Sequence, residues 1–240
     1  MRPRFRVTRS VIPNLFTAMN MFAGFLSIVE SSRENYMYAA WLIIIAAIFD
    51  ALDGAVARFT KSSSELGVEL DSLSDVISFG AAPAFLIYKT HLYSYEALGV
   101  LIAASLVLAG GFRLARFNVQ LVGFNKNFFT GLPIPISALT ISSFIISYFK
   151  IPQGFASPYS EIIIPLILLL SLLMVSRIKY DTIPKPTKKD LKEKPIIFLL
   201  IIAGAITAII TEGKVIFFIF VLFILFGIFR YIFSLFVRKT

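Results

Sequence analysis

The chain has 240 residues, 58% of them hydrophobic, and a mean hydropathy of +0.83, which is too apolar for one soluble domain and points to an integral membrane protein. Cysteine is absent and His91 is the only histidine, which excludes disulfides and thiolate metal sites and argues against histidine triads and histidine-rich zinc sites. The net charge of +9 comes from basic residues flanking apolar segments, so anionic lipid headgroups and membrane orientation explain it better than nucleic acid does.

Apolar runs of spanning length predict eight helices, near 12–30, 36–59, 67–89, 95–118, 131–149, 160–177, 196–211 and 215–236. Ahead of them, MRPRFRVTRS alternates basic residues with Phe5 and Val7, the pattern of an amphipathic segment lying on an anionic leaflet. In the first run, Asn14, Thr17 and Gly24 fall on one helix face, with Asn20 close to it. Two readings stay open for that face: hydrogen bonding and close packing between helices, or a lining for a site formed by the next two runs.

Those runs frame the stretch from Asp50 to Asp75, DALDGAVARFTKSSSELGVELDSLSD. Asp50, Asp53, Gly54 and Ala57 step i, i+3, i+4, i+7 along one helix face. Gly67, Asp71 and Asp75 step by four along the next helix, and the short polar connection predicts an antiparallel hairpin. The two faces then bring Asp50 level with Asp75 and Asp53 level with Asp71. Unpaired carboxylates at membrane depth are expensive, so four together imply a task, and an all-oxygen set suits hard divalent cations such as Mg²⁺, Mn²⁺ or Ca²⁺.

Further along, Ser74 and Ser78 follow the aspartate face, and Gly80 to Pro83 allow close contact or a kink. His91 falls in the turn on the far side, where a solvated loop histidine is expected. GGFRLARFN, Gly110 to Asn118, places Arg113 and Arg116 one turn apart, where they can converge on an anion or snorkel to the interface. Next, FFTGLPIPI carries Gly131, Pro133 and Pro135 and reads as a shaped re-entry into the fifth helix. The Pro- and Lys-rich stretch from Arg177 to Lys194 reads as an exposed loop that binds acidic lipids loosely. The expected organisation is thus a six-helix catalytic core with its amphipathic segment (1–178), a basic linker (179–195) and a two-helix appendix (196–240) suited to packing or homodimer contacts.

Distributing the 23 Lys and Arg over the connections puts 19 on the side of the termini and the Phe59–Leu66 turn, against four on the other. By the positive-inside rule both termini and the aspartates face the cytoplasm. A diphosphate-bearing lipid fits such a site: cations neutralise it, a nearby carboxylate takes a proton from an attacking hydroxyl, and small residues let a nucleotide approach. An ion-coupled transporter would instead carry polar residues through to the far face, whereas here they cluster at one end.

The pattern D-x2-D-G-x2-A-R-x8-G-x3-D-x3-D is met by Asp50, Asp53, Gly54, Ala57, Arg58, Gly67, Asp71 and Asp75. It resembles the signature of the CDP-alcohol phosphatidyltransferases. That resemblance implies an all-α membrane enzyme with a CDP-diacylglycerol or CDP-linked ether-lipid donor and CMP as leaving group. It further implies that the four aspartates hold a pair of divalent ions and that Asp75 is the base. Asn14, Thr17, Asp53, Gly54, Ala57, Arg58 and Gly67 then serve the donor. GGFRLARFN and FTGLPIP together resemble the phosphatidylserine synthase branch, which makes L-serine the expected acceptor and Arg113, Arg116 and Asn118 its expected ligands. Glycerol 3-phosphate and inositol phosphate also carry an anion, so the arginines alone leave those acceptors, and inositol, open.

Overall fold

The computed structural model describes residues 11–60, 65–120, 128–181, 207, 211 and 214–237. The protein is a multi-pass membrane protein built almost wholly from helices. Helices α1 (Val11–Ser32) and α2 (Tyr36–Thr60) form an antiparallel pair. Its tight far-side turn is fastened by Glu30, which accepts hydrogen bonds from Arg33 Nη1 (2.9 Å) and Asn35 Nδ2 (2.7 Å). Helix α3 (Glu65–Asp75) runs through a π-helical turn (Val76–Ala81) into α4 (Ala82–Thr90). A short 3₁₀ turn (Leu92–Tyr95) then leads into α5 (Glu96–Gln120).

Two shorter apolar helices follow, α6 (Ile134–Tyr148) and α7 (Tyr159–Val175), with α8 (Lys214–Val237) last. Five spans among the described residues are long and apolar enough to cross a membrane, with α3 and α4 counting as one. Seven of the eight predicted runs therefore have a helical counterpart. The run at 196–211 lies outside the described residues apart from Thr207 and Thr211, as do the amphipathic segment at 1–10 and most of the basic linker.

Helix α6 is the centre of the bundle and is buried along nearly its whole length. Its Thr140, Ser143 and Ser147 hydroxyls donate back to the carbonyls of Ile136, Leu139 and Ser143, so these three small polar residues sit in the helix with hydrogen bonds made to its own backbone. Helices α2 and α8 and the π turn pack around it. Helix α8 lies along α6 with Phe217 against Phe144 and Tyr148, ring centroids 5.3 and 5.7 Å apart.

Two features depart from expectation. The re-entry before α6 begins as a strand, β1 (Phe128–Thr130), and the linker after α7 begins as another, β4 (Lys179–Asp181); the two pair antiparallel, Phe129 opposite Tyr180. A smaller pair on the far side, β2 (Phe149–Lys150) with β3 (Gly154–Phe155), turns the chain between α6 and α7. There His91 is packed rather than solvated, its ring 5.8 Å from Tyr95 and 5.9 Å from Phe155. Burial pulls its pKa below the ordinary value, opposed by a hydrogen bond with the Ser160 backbone.

Candidate active site

Helices α2 and α3 each carry carboxylates at helical spacing, and the hairpin turns the two faces toward each other. Asp50, Asp53 and Asp71 each bring one carboxylate oxygen to within 4.8 Å of the others. Asp75 lies beside them, 8% exposed, in electrostatic interaction with all three. Asp71 Oδ1 and Asp75 Oδ1 are buried without a hydrogen-bond partner. Buried carboxylate oxygens are rarely left so, and a hard cation is the partner that such a set of oxygens lacks. The residues present therefore fit a divalent ion.

Helix α1 closes one side of this group. Thr17 donates to Asp53 Oδ2 at 3.0 Å, so it is a direct partner of the carboxylate set. The same face also packs: Ser74 donates to the Thr17 carbonyl (3.1 Å) and Ser78 to the Asn20 carbonyl (2.9 Å). The α1 face thus meets the carboxylate group through the Thr17 hydroxyl and packs against α3 and the π turn through the carbonyls of Thr17 and Asn20. Asn14, one turn nearer the chain start than Thr17, is half-buried. Gly54, Ala57 and Gly67 are half-buried along the hairpin, and Arg58 folds back over Gly54, its Nη1 3.2 Å from where a Cβ on that residue would sit. Arg58 also interacts electrostatically with Asp53.

The two arginines of α5 separate. Arg113 is 6% exposed and interacts electrostatically with Asp75, which brings it to the carboxylate group. Arg116 points its guanidinium at backbone carbonyls instead: Val175 and Thr130 at 2.9 Å, Ser176 at 3.2 Å and Met174 at 3.4 Å. It thereby caps the end of α7, whose last carbonyls have no helical partner, and ties β1 to it. Asn118 donates to Ser72 Oγ at 2.9 Å, fastening α5 to α3.

Sequence reading missed what this frame rests on. Gly131 adopts φ +83°, and a Cβ there would meet the Met174 carbonyl and the Arg116 guanidinium. Leu132 N–H then donates to the Leu173 carbonyl at 3.0 Å and Gly131 N–H to that of Ile178 at 2.8 Å. The TGLP signal marked a shaped turn, but nothing local says that Arg116 is its anchor.

The chain belongs to the CDP-alcohol phosphatidyltransferase family, whose model matches residues 10–176, and carboxylates facing each other across a membrane hairpin fit the divalent metal that this family of membrane enzymes generally uses. It is 34% identical to the CDP-diacylglycerol–serine O-phosphatidyltransferase of Helicobacter pylori over 93% of this chain and 92% of that protein. It is 43% identical to the archaetidylserine synthase of Methanothermobacter thermautotrophicus over 72% of this chain and 70% of that one. Against the CDP-diacylglycerol–serine O-phosphatidyltransferase of Methanocaldococcus jannaschii the identity is 40%, over 72% and 75%.

Proposed function

We propose that this protein transfers the phosphatidyl group of a CDP-linked diacyl or ether lipid to the hydroxyl of L-serine, releasing CMP. The observation that carries this reading is the placement of Arg113 beside Asp75 at the edge of the aspartate group, in a chain similar to several enzymes named for transfer to serine. Two divalent ions, Mg²⁺ or Mn²⁺, held by Asp50, Asp53, Asp71 and Asp75 would neutralise the diphosphate and stabilise the departing nucleotide phosphate.

The chain's own residues do the rest. Thr17 holds the Asp53 carboxylate in orientation, and Asn14, Gly54, Ala57, Arg58 and Gly67 form the bed for the cytidine diphosphate. Arg113 takes the serine carboxylate through its paired N–H groups. That leaves the serine hydroxyl free to attack the lipid phosphorus while Asp75 accepts its proton. The new bond joins serine oxygen to phosphorus, and the bond to the bridging diphosphate oxygen breaks. Arg116, bonded to the carbonyls of Val175 and Thr130, and Asn118, bonded to Ser72 Oγ, border the acceptor beside Arg113 and hold the frame around it. The lysine and arginine bias supports a reading in which both termini and this site face the cytoplasm from the cell membrane.

The test offers labelled L-serine, glycerol 3-phosphate, inositol and inositol phosphate to purified protein with one CDP-lipid donor. Label is expected in lipid with serine alone; labelling from another acceptor and not from serine would overturn the acceptor assignment. Asp75→Asn is expected to abolish turnover while retaining donor binding, and equal loss of both would remove Asp75 as the base.

A further inference from the structure

The family match ends at residue 176, and β4 and α8 lie beyond it. Yet β4 is built into the frame of the site. Tyr180 is 1% exposed, its ring stacked on Phe223 of α8 with centroids 5.9 Å apart. Gly227, one turn further along α8, is where that ring seats: a Cβ there would run into it. A tyrosine in a basic linker has thus been drawn into the helix packing, although its hydroxyl is buried without a partner and burial pushes the phenol up to about 12. The ring, not the hydroxyl, is what the position uses.

From Tyr180 the connections run inward without a gap. Its strand pairs with β1, and Thr130, the last residue of β1, gives its carbonyl to Arg116. Arg116 in turn fixes the end of α5 one turn beyond Arg113. We infer that α8, through the Tyr180–Gly227 seat, acts as a brace that holds the acceptor-side ribbon and so positions Arg113. This rests on the serine-transfer reading for its kinetic consequence, though not for the mechanical one.

The experiment uses the full chain in detergent with Gly227→Ala, Gly227→Leu, Tyr180→Ala and Tyr180→Phe. CMP release is measured against serine at saturating CDP-diacylglycerol and against the donor at saturating serine. Hydrogen exchange of the amides of residues 130–132 is followed in parallel. Gly227→Leu and Tyr180→Ala are expected to raise the serine KM about tenfold, with Gly227→Ala between them and wild type, while the donor KM stays within about twofold. Tyr180→Phe keeps the ring and is expected to keep the wild-type serine KM. Exchange at 130–132 is expected to quicken in the same order as the KM rises.

Unchanged serine KM and unchanged exchange in Gly227→Leu and Tyr180→Ala would overturn the brace. So would a donor KM that rises as much as the serine KM. If Gly227→Leu does not fold, Gly227→Ala decides, and wild-type behaviour in both readouts overturns the inference. If wild-type protein releases no CMP in response to serine, the functional reading fails, and the exchange data alone judge whether α8 holds the ribbon.

Discussion

Arg113 and Arg116 are one turn apart, share the motif GGFRLARFN and offer the same chemistry, yet the first interacts with the Asp75 carboxylate and the second bonds backbone carbonyls. What separates them is the partner each meets: a carboxylate from α3 for one, the orphan carbonyls of α7 for the other. Arg113→Ala is therefore expected to raise the serine KM more than the donor KM. Arg116→Lys is expected to lower stability by about 1–3 kcal/mol, since one ammonium cannot span four carbonyls that a planar guanidinium spans. Differential scanning of the two variants, set beside their serine kinetics, checks both. His91 gives a pH signature on the far side. Its pKa is lowered in the folded state, so the unfolded chain binds the proton more readily and stability falls as pH drops below about 6.5. The margin in Tm of wild type over His91→Gln is expected to be largest at neutral pH and to shrink on acidification; a margin independent of pH would mean that the imidazole does not titrate differently on folding.

The hairpin of α2 and α3 was legible because helical spacing is a strong code: carboxylates at i, i+3 and i, i+4 can only share a face. The partnership of Thr17 with that face was legible as one of two options, and packing of Ser74 and Ser78 against α1 shows why the other also holds. Three elements left no such trace. The π turn at Val76–Ala81 changes backbone hydrogen bonding without changing residue type, so only Gly80 and Pro83 hint at irregularity. Strands β1 and β4 are three residues each, too short to show alternation. Tyr180 is a single aromatic residue amid lysines and prolines, and its burial depends on a glycine 47 positions away on α8, which no local pattern announces. At the α1–π-turn contact, a Cβ on Gly24 would strike Ser78, so Gly24→Leu is expected to destabilise the bundle by about 1–3 kcal/mol through overpacking, read as a lower Tm.

At the scale of the whole molecule, the aspartates gather at one end of the bundle, while the other end is closed by aromatic packing and by the Glu30–Arg33–Asn35 turn. Aspartates, Arg113, the β1–β4 ribbon and the Tyr180 seat all belong to that end, and central α6 connects it to the far-side aromatic cluster of Phe144, Tyr148, Phe155 and Phe217. This polarity suits a reaction whose nucleotide and amino acid come from water and whose acyl or ether chains stay in lipid. The most direct measurement is serine-dependent CMP release by the purified protein, supplied with CDP-diacylglycerol and Mg²⁺ or Mn²⁺, before and after chelation of the divalent ions. Release is expected to stop on chelation, to return when the ion is restored, and to be absent throughout in Asp71→Asn. Undiminished release with the ions removed would contradict a carboxylate-held cation at the centre of this site.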